Sequence, residues 1–114
     1  MIVYGIKNCD TVKKARKWLD QHGVEYQFHD LRTDGLDSAM INQWLKSLSW
    51  QLLLNKRSTT WRQLPSEKQE NLDEKTAIAL MIAHPTLIKR PVICDEKDCL
   101  VGFDAQQYLA RYDA

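Results

Sequence analysis

The spacing of hydrophobic and polar positions changes along the chain, and these changes predict the order of its elements. Residues 2–6 form a short apolar run, which is typical of a buried strand. Apolar residues then recur at helical spacing over 11–22, and Gly23 follows as a common helix-ending residue. Residues 24–28 alternate apolar and polar, which predicts a second strand. A strand–helix–strand unit this short favours parallel pairing through a right-handed crossover.

The middle of the chain, from about residue 35 to residue 85, is predicted to be helical. Asp37 and Asp73 are each placed to cap a helix that carries an apolar face. Residues 55–60 are polar and predict a loop between helical pieces. The last helix should end just before Pro85, because proline restricts the backbone of the residue that precedes it.

The end of the chain returns to strand patterns. Residues 90–94 and 100–103 contain short apolar runs and flank a polar stretch, which predicts a hairpin. Asp104 can then cap a closing helix. The order βαβ, helices, ββα predicts an α/β fold of the thioredoxin-like kind, with a mixed four-stranded sheet and an inserted helical lobe. Residues 1–114 are expected to form a single domain.

The composition and net charge of the chain exclude some classes of binding partner. The chain has 114 residues, of which 44% are hydrophobic and 27% charged, enough for one domain with one main core. The net charge of +1 argues against nucleic acid or an acidic membrane surface as the main partner. No apolar run approaches the roughly 20 residues of a membrane helix. The first strand leaves no room for a signal peptide, so we expect a cytoplasmic protein.

Cys9 is the first candidate for chemistry, because it lies where a strand ends and a helix begins. Unpaired backbone N–H groups and the positive end of the helix dipole converge there and stabilise a thiolate, the reactive form of cysteine. Lys7 is expected to lower the pKa of the thiol further, while Asp10 opposes it. The alternative is a buried cysteine without chemistry.

The other cysteines do not complete a dithiol motif around Cys9. Val12 stands where a CxxC motif would have its second cysteine, and a dithiol cycle needs a nearby resolving sulfur. We therefore expect a monothiol cycle that an external thiol such as glutathione completes. Cys94 and Cys99 lie at the two ends of the predicted hairpin turn, where opposed residues can approach disulfide range. In a cytosolic chain, however, two reduced cysteines that serve in packing are favoured. No zinc pattern is present, so no metal is expected.

Arg90 and Pro91 form the second candidate site. An X-Pro bond is the place to expect a cis peptide. In a thioredoxin-like sheet the loop entering the third strand lies beside the reactive cysteine, which would bring the Arg90 guanidinium near Cys9 to hold an anion or stabilise the thiolate. Arg57 is a weaker candidate, if the helical lobe folds over the sheet edge. An ordinary exposed arginine is the alternative for both residues.

Three stretches together resemble the ArsC/Spx family of thioredoxin-like proteins, and most closely its YffB branch. They read Tyr-Gly-Ile-Lys-Asn-Cys-Asp-Thr at 4–11, Leu-Leu-Asn-Lys-Arg-Ser at 53–58, and His-Pro with Ile-Lys-Arg-Pro-Val-Ile within 84–93. The resemblance spans nearly the whole chain. It implies a thioredoxin-like core with an inserted helical region and, for the YffB branch, a glutathione-dependent thiol reductase.

The other branches of this family differ from the chain at their functional positions. Arsenate reductases of the family use a cysteine and three arginines, which Cys9 and Arg90 match only in part. Asn55 takes the middle arginine position, with Arg57 two residues on, and Gly102 takes the last. A divalent oxyanion in a small site needs several charge-assisted hydrogen bonds, so arsenate is not expected as the main substrate. Spx members bind RNA polymerase and carry a CxxC switch that this chain lacks.

We therefore expect a glutathione-dependent thiol-disulfide reductase with Cys9 as its nucleophile. Glutathione is the expected co-substrate, no cofactor is bound, and glutaredoxin or a protein disulfide is a further possible partner. Thr11 is expected either to hydrogen-bond the sulfur or, preferably, to cap the first helix. The alternatives are an Spx-like regulatory or binding protein and an arsenate reductase. The residues expected to bind glutathione or another anion are Lys7, Asn8, Thr11, Arg57 and Arg90.

Overall fold

The structure, a computed structural model, describes residues 1–112. Within them, no helix is both long enough and apolar enough to cross a membrane. A 3-10 turn, Pro85–Leu87, lies between the sixth helix and the third strand. The elements are β1 (Ile2–Gly5), α1 (Asp10–Gln21), β2 (Gln27–Asp30), α2 (Ser38–Trp44), α3 (Trp50–Leu53), α4 (Thr59–Gln63), α5 (Ser66–Glu70), α6 (Glu74–Ala83), β3 (Val92–Cys94), β4 (Cys99–Val101) and α7 (Ala105–Tyr112).

The four strands form one mixed sheet in the order β2-β1-β3-β4. β1 is parallel to β2 and antiparallel to β3, and β3 and β4 form an antiparallel hairpin. The predicted thioredoxin-like fold class is thereby confirmed. In the β1–β3 pair, Val3 lies opposite Ile93. The parts of the chain before and after the helical segment therefore pair directly in the sheet.

The sheet separates two apolar cores, because successive side chains of a strand point to opposite faces. On one face, β1 and β3 pack against α1 and α7. On the other face, they pack against the helical lobe of α2 to α6, whose Trp44 is fully buried. The first core contains Val3, Ala15, Leu19, Ile93 and Tyr108. The second includes Ile6, Leu31, Ile41, Trp44, Leu53, Met81, Leu87, Ile88 and Val92.

The lobe helices begin at the capping residues that the sequence suggested, with one difference. Asp37 accepts a hydrogen bond from the Met40 amide, and Asp73 forms a capping box. The predicted loop at 55–60 is shorter, because the Ser58 hydroxyl accepts a hydrogen bond from the backbone amide of residue 61 at 3.1 Å. α4 therefore begins at residue 59. A polar cap at the end of a polar loop is easily missed in the sequence, since both consist of the same residue types.

The second strand lies later in the chain than the prediction of 24–28, since β2 spans Gln27–Asp30. Its position follows from pairing with β1, in which Ile2 lies opposite Gln27 and Gly5 opposite Asp30. The alternating apolar residues of 24–28 do pack against the first core. The alternation of apolar and polar residues therefore shows which side chains pack against the core, but it does not show which residues form hydrogen bonds with β1.

Gly5 allows α1 to approach the end of β1 closely. A Cβ atom at this position would come within 2.9 Å of Val12 Cγ2. Val12 is buried in the first turns of α1. The missing side chain of Gly5 therefore helps to fix where α1 starts, and with it the position of Cys9.

The β3–β4 hairpin corrects one expectation about the cysteines. Cys94 and Cys99 are directly opposite in register and are joined by a disulfide with a Cα–Cα distance of 4.1 Å, whereas we expected two reduced residues. Arg111 of α7 pairs with Asp95 at 2.8 Å and also with Asp98. Burial alone would raise the pKa of Asp95, but the Arg111 hydrogen bond and nearby amides outweigh it and lower the pKa to about 2. The hairpin turn is thus fastened to the closing helix.

Candidate active site

Cys9 occupies the N-cap position of α1, with φ −116° and ψ 123°. Its carbonyl accepts the first hydrogen bond of the helix, from the Lys13 amide at 3.0 Å. The side chain is partly exposed, and it is the free thiol among residues 1–112, since the other two cysteines form the hairpin disulfide. The sulfur is therefore accessible at the end of the helix where the dipole favours negative charge.

The surroundings of Cys9 lower the pKa of its thiol. Burial acts in the opposite direction and raises the pKa, but it is outweighed by the Val12 amide, by the hydrogen bond and charge of Arg90, and by the Thr11 amide. Among the contacts that lower the pKa, the hydrogen bond from the Val12 amide is the largest contribution, followed by the hydrogen bond and the charge of Arg90. Such an attraction strengthens when the sulfur becomes an anion, which shifts the equilibrium toward the thiolate.

Arg90 is held beside Cys9 by the backbone that precedes it. Its Nη1 donates to the Ile88 carbonyl at 3.1 Å and to the Pro85 carbonyl at 3.5 Å. The Arg90–Pro91 peptide bond is cis. The Nε of Arg90 is buried and has no hydrogen-bond partner within residues 1–112. The guanidinium is therefore fixed in place while part of its donor capacity remains unused.

Asp30 is a site residue that sequence reasoning missed. It lies at the end of β2 with only 3% of its surface exposed. Its carboxylate accepts hydrogen bonds from the backbone amides of Lys7 at 3.1 Å, Arg32 at 2.8 Å and Thr33 at 3.1 Å. It thereby ties the turn that carries Cys9 to the segment after β2. The only signal in the sequence was an aspartate that ends an apolar strand just before a turn.

The same contacts change the role expected of Lys7. Burial raises the pKa of Asp30, but the three amides and the Lys7 charge outweigh it, so that the pKa is lowered. The sequence predicted that the Lys7 ammonium would act on the thiol. In the structure its charge acts on the Asp30 carboxylate, because β2 brings that carboxylate under the turn.

Of the remaining predicted site residues, Asn8 and Thr11 lie at the turn of Cys9, whereas Arg57 lies in a separate cavity. Asn8 is exposed beside Cys9. Thr11 does not cap α1, as was preferred, because Cys9 itself takes the N-cap position; the Thr11 amide faces the sulfur instead. Arg57 lines a cavity of about 300 Å³ together with Lys56 and Lys89. Lys89 directly precedes Arg90, so this basic cavity is linked to the cysteine site through the backbone.

Two positions that hold arginines in the arsenate reductases play backbone roles here. The Asn55 side-chain oxygen accepts a hydrogen bond from the Arg57 amide at 3.1 Å. Gly102 has a φ of +83°, and its amide donates to the Pro91 carbonyl at 2.8 Å. Neither residue supplies a cation to an oxyanion. Across the described part of the chain, no group of three or more metal-ligating side chains comes together.

Replacing Arg90 by Ala is expected to raise the pKa of Cys9, because both the hydrogen bond and the positive charge are lost. A charge-assisted hydrogen bond is worth about 1.5–3 kcal/mol, so the rate of alkylation by iodoacetamide at neutral pH should fall about tenfold. The measurement is the alkylation rate as a function of pH. Arg57→Ala is the matched control and should keep the wild-type profile. Identical profiles for wild type and Arg90→Ala would contradict the role of Arg90.

Comparisons with known proteins agree on one family. The sequence model of the ArsC family matches residues 4–111. An uncharacterized protein of Haemophilus influenzae is 49% identical over 96% of both chains. The global transcriptional regulator Spx of Lactiplantibacillus plantarum is 31% identical over 94% of this chain and 82% of its own. The solved structure of a YFFB protein superposes with a TM-score of 0.91, at 47% identity over 96% of both chains.

Proposed function

Because this chain belongs to the ArsC family, we propose that it is a glutathione-dependent thiol-disulfide reductase that uses Cys9 as its nucleophile. The observation that carries the proposal is the state of this sulfur. It is free, partly exposed and placed at the start of α1, and Arg90 and two backbone amides lower its pKa. Such surroundings distinguish reactive cysteines from buried structural ones.

The proposed cycle has two exchange steps. The Cys9 thiolate attacks the glutathione sulfur of a mixed disulfide, forms a bond to it, and releases the substrate as a thiolate that takes up a proton from water. A glutathione thiolate then attacks the sulfur attached to Cys9, which forms oxidised glutathione and returns Cys9 as a thiolate. The substrate sulfur is reduced to a thiol and one glutathione thiol is oxidised, while the glutathione already present in the mixed disulfide leaves as the other half of oxidised glutathione. Val12, buried at the position of a CxxC partner, cannot resolve the intermediate.

The basic cavity that includes Lys89, the residue before Arg90, is the proposed place for the carboxylates of glutathione. Arg57, Lys56 and Lys89 line it and carry three positive charges. A guanidinium binds a carboxylate with two parallel hydrogen bonds, which fixes its orientation as well as its position. Lys7 and Asn8 are exposed on the turn of Cys9, where they are available to the peptide backbone of glutathione. We place the protein in the cytoplasm, where this thiol is supplied.

A mass measurement after incubation with oxidised glutathione tests the monothiol cycle. The protein is expected to gain the mass of one glutathione, and the modified peptide should contain Cys9. Cys94→Ser/Cys99→Ser is the control background, because it removes the other sulfurs and should still form the adduct. An adduct on Cys94 or Cys99 with unmodified Cys9 would contradict the proposal.

A second candidate is a binding or regulatory role without turnover. It is favoured by the similarity to Spx regulators over almost the entire chain. In that case the thioredoxin-like fold would present a surface to a macromolecule, and Cys9, whose pKa is lowered, would serve at most as a sensor. The two candidates differ in one observable, which is whether the rate of disulfide reduction depends on the Cys9 sulfur.

A further inference from the structure

A groove crosses the helical lobe, and some of its lining residues are hydrogen-bonded to residues that position Cys9. The part of the groove that contains these residues, its near part, has a volume of about 590 Å³ and is lined by Arg32 and by Pro85 and Thr86 of the 3-10 turn, among others. Its far part, of about 430 Å³, continues between α5 and α6. Lys68, Ala83 and His84 line both parts, so the two are continuous. We call this feature the lobe groove.

Two contacts connect the near part of the lobe groove to the reactive sulfur. Pro85 lines the groove, and its carbonyl lies 3.5 Å from Nη1 of Arg90, which in turn acts on Cys9. On the other side, the Arg32 amide and the Lys7 amide share the Asp30 carboxylate. Both walls of the groove are therefore anchored to the same residues that position Cys9.

The charges along the lobe groove change from one end to the other. The near part carries the positive charges of Arg32 and Lys68, and none of its lining residues within 1–112 is a carboxylate. The far part adds Glu67, and its wall includes the apolar side chains Ala79 and Leu80. The near part therefore fits a negatively charged group, and the far part fits an apolar one.

The shape of the near part is fixed by contacts within the lobe. The hydroxyls of Thr60 and Thr86 hydrogen-bond at 2.6 Å and join the start of α4 to the 3-10 turn. The Gln69 side chain donates to the carbonyl of residue 61 at 2.7 Å and holds α5 against α4. Because these contacts already order the groove, little conformational entropy is lost when a ligand binds, which favours binding.

We propose that the lobe groove binds a polypeptide segment next to the disulfide cysteine of a protein substrate, with an acidic residue near that cysteine and an apolar residue beyond it. This inference rests on the proposed function, and it names the substrate class of the same site. Glutathione offers carboxylates but no apolar side chain for the far part. A protein chain can place both at once, because extended residues advance about 3.3–3.6 Å each.

Peptides in mixed disulfide with glutathione test the proposal. The first peptide carries Glu two residues from its cysteine and Leu further along the chain, and it is made with these residues either before or after the cysteine. The second peptide has Lys in place of Glu. Wild type is expected to favour the Glu peptide in kcat/KM. For the variants Arg32→Glu and Lys68→Glu, we expect kcat/KM for the Glu peptide divided by kcat/KM for the Lys peptide to fall about tenfold, because charge complementarity sets specificity. Lys46→Glu, an exposed lysine outside the groove, should keep the wild-type ratio.

A binding measurement separates this inference from the proposed function. Fluorescence anisotropy of the labelled Glu peptide with Cys9→Ser protein needs no turnover, and the Kd should rise about tenfold in Cys9→Ser/Arg32→Glu. An unchanged Kd, or equal kcat/KM for the Glu and Lys peptides in wild type, would overturn the lobe groove as a substrate site. Failure to reduce any disulfide, including that of glutathione with 2-mercaptoethanol, would contradict the proposed function but leave the anisotropy result standing.

Discussion

Replacing Cys9 by Ser is expected to reduce the rate of glutathione-dependent disulfide reduction to the uncatalysed level. A serine hydroxyl is not ionised at neutral pH and cannot form a disulfide, so neither exchange step of the cycle can occur. We expect a loss of at least about 10³-fold, as for other covalent catalysts that lose their nucleophile. The measurement is the turnover of a glutathionylated substrate, with oxidised glutathione recycled by a coupled enzyme.

The outcome for Cys9→Ser decides between the reductase and the regulator. Cys94→Ser/Cys99→Ser is the matched control, because it removes both other sulfurs and should retain turnover. Equal rates for wild type and Cys9→Ser would rule out the reductase and favour a binding role. The fold of Cys9→Ser should be unchanged, since the side chain is partly exposed and makes no normal cap bond. A far-ultraviolet circular dichroism spectrum checks this.

Replacing Asp30 by Ala is expected to destabilise the protein by about 3 kcal/mol. Three backbone amides would lose their acceptor, and each unsatisfied buried donor costs about 1–3 kcal/mol, less where water can enter. Urea denaturation measures the change. Asp20→Ala, an exposed aspartate on α1, is the matched control and should alter stability by no more than about 0.5 kcal/mol. A similar stability for both variants would show that the Asp30 contacts are weak.

The pH dependence of stability gives a second measurement on Asp30. The pKa of Asp30 is lower in the folded protein than in the unfolded chain, where it is about 3.9. The carboxylate therefore contributes stability above the unfolded pKa, and that contribution is lost as the pH falls through the lower folded pKa. Asp30→Asn should flatten the acid side of the stability profile. It should also slow Cys9 alkylation, because an amide NH₂ cannot accept from the turn that carries the cysteine.

Local sequence signals predicted most of the elements, for identifiable reasons. Helices with an apolar face and a capping aspartate, such as those after Asp37 and Asp73, were placed within a residue of their observed starts. The position of β2 was less accurate, because a strand is defined by its partner and its alternation shows only which face is buried. α4 was partly missed for a related reason, since five residues provide too little periodicity to separate a helix from a loop.

The candidate site was predicted unevenly. Cys9 and Arg90 stood out because each has a local signature, a strand-to-helix junction in one case and an arginine before proline in the other. Asp30 and the lobe groove had no local signature in the sequence, because both are formed by contacts between segments that are distant in the chain. Arg32 and Lys68, for example, are 36 positions apart in the numbering and line one groove only through the packing of the lobe.

The sequence alone determined most of the order of strands and helices, the capping roles of Asp37 and Asp73, and a lone sulfur at the start of the first helix. These follow from interactions between residues close along the chain. Tertiary structure decided that the Lys7 charge acts on Asp30, that Asp30 lies under the turn of Cys9, that Cys94 pairs with Cys99, and that distant segments line the lobe groove. Each of these depends on a distance between remote segments, which is fixed only when the sheet register and the two cores are formed.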